Sequence, residues 1–256
     1  MRPGAVVDAV GFLVTFPGGP ASVKVHGLRL CSKAADAPVD KGVGGDFYMG
    51  EAECTRVALY RKVKRILRSF SGRRSMHNYS EGVCSSEPRA WRRTAKPRVH
   101  GGIVAQGREF VVVSICCAGF LFGQLRRMFG GLITACRGVV PEEYVSLATE
   151  PWAFLPIPVC PPHLLVLDEC TFDMYEAKKN IQIRPRPTRY KVGFTDLEGQ
   201  RAVAAFRQRI LVHIANIEVN EDRTGRWMRE EVDPAGPDMC RAMDLVLLRH
   251  QSLAKL

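Results

Sequence analysis

The sequence predicts an α+β fold, a mixed or antiparallel sheet with helices on one face and a helical C-terminal extension. Three observations lead there. Residues 5–16 and 108–118 are apolar segments of strand length, lying far apart in the chain. Residues 51–69 and 119–137 repeat apolar side chains at helical spacing. Beyond residue 200 the chain carries helical spacing alone, at 201–214 and 238–256.

Each element has its own warrant. Residues 5–16 end at the turn cluster Pro17-Gly18-Gly19-Pro20, and residues 22–30 alternate weakly enough for a second strand. From 31 to 49 the chain is rich in Gly, Ala and Asp without periodicity and reads as a loop. In the helix over 51–69, Leu59, Val63, Ile66 and Leu67 make the apolar stripe, while Arg61, Lys62, Lys64, Arg65 and Arg68 fill much of the remainder. Lys96 and Arg98 flank Pro97 just before a strand pair, whose second member, 108–118, is apolar enough to be buried on both faces.

The helix that follows carries its stripe on Leu121, Leu125, Met128, Phe129, Leu132 and Cys136, with Gly123, Arg126, Arg127 and Gly130 placed off it. Glycine costs about 1 kcal/mol relative to alanine in a helix, so glycines beside arginines predict a close approach to the helix backbone. After Pro141 come a short helix, a proline-rich loop over 156–162 and a strand over 163–172. Residues 173–192 are extended and basic, with Arg184, Arg186, Arg189 and Lys191 around Tyr190, either a surface linker or an RNA contact.

Composition narrows the function classes. The chain has 256 residues, long enough for a real core, and its 46% hydrophobic and 25% charged residues are those of a folded protein. No apolar run reaches the roughly 18 residues of a membrane span, and no cleavable targeting peptide is visible. A formal net charge of +11 favours polyanions, nucleic acid first. The nine cysteines include no CxxC pair and no zinc-type Cys/His cluster, so no metal site is expected; adjacent Cys116 and Cys117 read as small hydrophobes.

Four segments in order resemble the TruA-type tRNA pseudouridine synthase family, eukaryotic branch. FSGRRSMHNYS (70–80) is similar to the family's Gly-Thr-His-Asn-Phe segment through Gly72, His77, Asn78 and Tyr79. GFLFGQLRRMFGGL (119–132) resembles its strand-to-helix segment through Gln124, Arg126, Arg127, Met128 and Gly130. CPPHLLVLDECTF (160–172) looks like its closing strand, with Leu164 where glycine is usual. Residues 201–228 resemble the branch's C-terminal extension, including Phe206 and Trp227. Together they cover about residues 51–230.

The resemblance implies a pseudouridine synthase fold and cofactor-free isomerisation of a flipped-out uridine, begun by an Asp carboxylate that an arginine, here Arg126, holds ionised. The family's Asp segment is best matched by residues 2–16, and there Gly4 falls where the nucleophile belongs. Val6 replaces a motif glycine, position 123 has Gly instead of His, and the base-stacking tyrosine segment has no counterpart over 17–50. A competing match, Asp40-Lys41-Gly42-Val43, offers Asp40 as nucleophile in a loop-like context.

The N-terminal half therefore reads as reduced, or as starting late. The expected organisation is a remnant of that half over 1–50, the C-terminal half of the synthase domain over 51–172, and a basic linker with helical extension over 173–256. Without its carboxylate, Arg126 is expected to meet an RNA phosphate, a backbone carbonyl or another chain. The expected RNA contacts are Arg73, Arg74, His77, Lys96 and Arg98, then Arg126 and Arg127, then Arg184, Arg186 and Arg189; His77 reads as structural before catalytic. The expected protein is a catalytically inactive, intracellular RNA binder, mitochondrial rather than nuclear, working with rRNA or tRNA and with other proteins of a ribonucleoprotein. It needs neither membrane nor small-molecule cofactor. An active tRNA or rRNA synthase is the alternative.

Overall fold

The computed structural model describes residues 6–16, 29–30, 51–117, 119–171, 193–194 and 196–254. Gly4, Asp40, Arg184, Arg186, Arg189 and Tyr190 lie outside them.

Strand β6 (Arg108–Cys117) is the hub of the sheet. Strand β1 (Val6–Phe16) pairs with it antiparallel along its length, from Val7 opposite Cys117 to Phe16 opposite Glu109. Strand β5 (Arg98–Ala105) pairs antiparallel on its other side. This double pairing explains the near-continuous apolar sequence: Phe110, Val111, Val113 and Ile115 are all at or below 1% exposure. Ala105 and Arg108 close the β5–β6 hairpin around Gln106 and Gly107, both with positive φ (48° and 72°), the geometry of a type I′ turn.

Two short strands, β3 (Gly72–Ser75) and β4 (Trp91–Thr94), form a further antiparallel hairpin, and β7 (Glu169–Thr171) adds to the far side of β1. Arg29 and Leu30, the described part of the expected second strand, make β2 against the start of β6. Every pairing among the described strands is antiparallel.

Helix α1 (Glu51–Arg68) packs on α2 (Gln124–Arg137) through Val63, Ile66 and Leu67, which share one core with Met128, Phe129 and Leu132. A short α3 (Glu143–Leu147) continues that core with Tyr144 and Val145. The C-terminal extension comprises α4 (Leu197–Glu221), α5 (Arg223–Trp227), a π turn over Met228–Val232 and α6 (Asp233–Leu253). Leu211, Ile214, Trp227 and Met228 join the same core, so the extension is part of one packed body.

Three expectations need correction. The strand expected over 163–172 is confined to Glu169–Thr171. A 3-10 turn at Pro162–Leu164 replaces its beginning, because two prolines remove ladder donors there. The helix expected over 201–214 runs from Leu197 to Glu221, opened by Asp196, whose carboxylate accepts from the Gly199 N–H. The final helix starts at Asp233, five residues earlier than Asp238, with Pro234 accommodated in its first turn.

Candidate nucleic-acid interface

The sequence motif at 77–79 is a clamp. His77 is buried, its Nε2 lies 2.8 Å from the Ala153 carbonyl and its Nδ1 2.9 Å from Ser75 Oγ. A carbonyl only accepts, so Nε2 carries the proton and Nδ1 accepts from the serine hydroxyl. Burial pushes the imidazole below its ordinary pKa, which keeps it in this neutral form. Asn78 Nδ2 donates to the carbonyls of Ala148 (2.9 Å) and Ala153 (2.7 Å), and its Oδ1 accepts from the Leu155 N–H. Tyr79 is fully buried and its hydroxyl donates to Val145 O at 2.8 Å. Three consecutive side chains thus pin residues 145–155, and both ring nitrogens of His77 are used inside the protein.

The pinned segment delivers residues 156–160 onto α2. A Cβ on Gly130 would lie 1.9 Å from Pro158 O, so the close approach that the helix glycines predict is made here by the chain itself. Arg126 sits one turn earlier. Its backbone carbonyl accepts from Cys160 N (3.2 Å) and its Nε donates to Cys160 O (2.8 Å). Of the three partners expected for this arginine, the structure supplies a backbone carbonyl. Beside it the Cys160 thiol is buried and pushed up to about 12, so it stays protonated and serves as packing.

Gly123 precedes α2 and is not inside it, correcting the expectation that it lies on the helix. With φ 71° it holds the left-handed turn that starts the helix, and a Cβ there would lie 2.5 Å from Arg127 Nη1. Arg127 folds over this bare backbone, and its Nη2 donates to Glu81 Oε1 at 2.7 Å. Gln124 is fully buried and accepts from Leu121 N, closing the turn.

Lys96 and Arg98 do converge. They line a cleft of about 740 Å³ with His100, Ser114 and Cys116 of the sheet, Asp168 from the loop before β7 and Arg207 from α4 of the extension. The pleat of β6 explains its floor: the alternate residues Val113, Ile115 and Cys117 are buried, leaving Ser114 and Cys116 half-buried at the surface. Cys116 therefore departs from the core role expected for the cysteine pair; Cys117 keeps it. His100 Nε2 and Ser114 Oγ are 2.8 Å apart, and Arg207 Nε donates to Asp168 Oδ1 at 2.5 Å. Among the described lining residues, Lys96, Arg98, His100 and Arg207 stand around one carboxylate, Asp168. Among the described residues no His/Cys/Asp/Glu cluster is arranged to hold a metal ion.

Register also fixes how β1 meets this cleft. Val7 pairs with Cys117, so β1 begins beside the cleft end of β6. Arg73 and Arg74 stand outside, exposed on β3, facing Arg93 and Arg92 of β4. Sequence reading missed His100, Ser114, Asp168 and Arg207 because a cleft assembled from a strand, a loop and a distant helix leaves no local spacing. It missed Arg92 and Arg93 because a strand of sequence WRRT shows no apolar alternation.

No protein-family profile matches the chain. Similarity to individual proteins is extensive. The chain is 26% identical over 197 residues to the pseudouridylate synthase 1 homologs of Mus musculus and of Homo sapiens, covering 76% of this chain and 43% of each relative. It is 24% identical over 113 residues to the tRNA pseudouridine synthase 2 of Schizosaccharomyces pombe, covering 44% of this chain and 25% of that one. The chain is a relative of the TruA-type pseudouridine synthases. It spans less than half the length of the curated relatives it matches. In this synthase relative the α+β body with an antiparallel sheet is compatible with the family's fold, and the motif residues at 77–79 and 124–130 hold the 145–160 segment against α2, apart from the residues that line the cleft.

Proposed function

We propose that this pseudouridine synthase relative binds structured RNA, rRNA or tRNA, in the cleft between β5, β6 and α4, and does not itself isomerise uridine. One observation carries the reading: Lys96, Arg98 and His100 converge on a concave surface with Arg207, whose charge is offset by Asp168, the one carboxylate among the described lining residues. Such a surface attracts phosphate backbone, and its open polar floor suits a nucleotide. The loss of catalysis is argued from Gly4, which has no carboxylate to begin glycosidic cleavage, and from Arg126, which is bonded to the Cys160 carbonyl. Retained cations without a nucleophile fit a role inside a ribonucleoprotein, such as a mitochondrial ribosome or its assembly intermediates, alongside other proteins.

Pseudouridine mapping after depletion, with rescue by wild type or Asp40→Ala, tests this. The expected result is an unchanged map, with loss of a particular RNA or its particle. A site that vanishes on depletion and returns only with wild type would establish an active synthase with Asp40 as nucleophile; the Asp40-Lys41-Gly42-Val43 match is what favours that reading.

A further inference from the structure

Among the described strands β3 sits at the edge of the sheet, and β4 is joined to β6 by one registered pair, Thr94 with Cys117. The hairpin therefore leaves the sheet attached at one end. In its ladder Arg73 lies opposite Arg93 and Arg74 opposite Arg92. Neighbouring residues of a strand point to opposite faces, so each face of the hairpin carries one cross-strand pair of arginines. Like charges directly opposite repel, and opposite residues stand only about 5 Å apart at Cβ. Among the described residues no carboxylate pairs with any of the four. Arg73, Arg74 and Arg93 are exposed. Arg73 lies over the Trp91 ring, 5.3 Å from its centroid, which orients that guanidinium. Arg92 keeps a buried Nε with no acceptor among the described residues.

A fold gains nothing from stacking cations this way, whereas a polyanion does. All four are arginine, the side chain whose planar fork matches two phosphate oxygens. We infer that the β3–β4 hairpin is a second RNA grip, outside the cleft, that holds the phosphate backbone of the bound RNA without reading its sequence. The inference rests on the RNA-binding reading above. The short link from β4 to β5 carries Lys96 and leads into Arg98, so a continuous run of chain with cations joins the hairpin to the cleft wall.

Binding of labelled total tRNA to the full chain, titrated by fluorescence anisotropy from about 50 to about 300 mM KCl, tests it. Arg73→Gln/Arg93→Gln and Arg74→Gln/Arg92→Gln should each make the slope of log affinity against log salt shallower by about 1.4 to 1.8, two contacts. The matched charge loss Arg241→Gln/Arg249→Gln, exposed on α6, should leave the slope unchanged. Replacing the four arginines by lysine should keep most of the slope and weaken binding about threefold to tenfold, since charge survives and the fork does not. Both glutamine pairs should melt no lower than wild type, because repulsion is relieved.

Wild-type slope and affinity in the glutamine pairs, with weakened binding by Arg98→Gln, would overturn the hairpin grip and leave the cleft reading standing. Self-association of the glutamine pairs with unaltered RNA binding would show that the arginines guard an edge strand, and would overturn it as well. Failure of the wild-type chain to bind tRNA at the lowest salt would remove the RNA reading and this inference together.

Discussion

Gly130 and Gly131 are adjacent on α2, both buried, and the structure gives them opposite fates on gaining a methyl group. At Gly130 the new Cβ meets Pro158 O at 1.9 Å and Pro158 C at 2.8 Å, backbone atoms that follow the Ala153 carbonyl held by the His77–Asn78 clamp. Gly130→Ala must lift residues 156–160 off the helix and break the Cys160 N–H bond to Arg126 O, a loss of about 3 kcal/mol. At Gly131 the nearest atoms, Ile157 Cγ2 and Tyr79 Cε1, stand at 3.6 and 3.7 Å, an ordinary contact. Gly131→Ala should therefore be neutral or stabilising by up to about 1 kcal/mol from helix propensity alone. Urea midpoints at a common slope decide between them; similar midpoints in the two variants would refute the close approach. His77 supplies a second residue-scale prediction. Burial depresses its pKa, so below its ordinary value of 6.5 the unfolded chain takes up a proton that the folded chain refuses. The stability it contributes is complete above that pH and is lost as pH falls through the lower folded value. The urea midpoint should fall more between about pH 7.5 and about 5.5 in wild type than in His77→Gln, and equal falls would count against the neutral clamp.

Elements that bury one continuous apolar face were legible. The helix read over 51–69 is Glu51–Arg68, and the strand read over 108–118 is Arg108–Cys117, because their apolar periods survive in the packing of Val63, Ile66, Val113 and Ile115. The motif arginine Arg126 was legible as a residue in need of a partner, whereas the partner, a carbonyl 34 residues away, was not. Elements held by polar contacts were misread. α4 outruns its apolar spacing because its last turns are secured by Glu218, which is 1% exposed. Glu218 Oε2 lies 2.6 Å from His163 Nε2, and Oε1 accepts from Thr224 N at 3.1 Å, so one carboxylate ties α4 both to the 3-10 turn at Pro162–Leu164 and to the start of α5. Glu218→Ala would leave a buried amide donor and a partly buried imidazole without their acceptor, a destabilisation of about 3 kcal/mol. Glu218→Gln keeps one acceptor oxygen and the packing, and should cost about 1 kcal/mol. Chemical denaturation that ranks the two variants equally would mean that volume, not the acceptor, holds the extension.

The extension matters to the whole molecule because it closes the cleft. α4 packs against β5 and β1 and brings Arg207 opposite Lys96 and Arg98. There Arg207 is held by Asp168, with side chains 42% and 27% exposed, a pair whose net contribution to stability is at most about 1 kcal/mol. Its larger effect is electrostatic: Asp168 cancels one cation at the mouth of a cleft in a chain of net charge +11. Asp168→Asn should release the Arg207 guanidinium to a phosphate. RNA affinity should then rise several-fold at low salt, and the slope of log affinity against log salt should steepen by about 0.7 to 0.9, one added contact. Arg207→Gln should show the opposite sign in the Asp168→Asn background and little change in wild type, where the arginine is already occupied. The double-mutant cycle isolates that coupling. If Asp168→Asn weakens binding instead, the aspartate orients Arg207 toward RNA and the ion pair belongs to the grip; an unmoved affinity and slope would place RNA elsewhere than in this cleft.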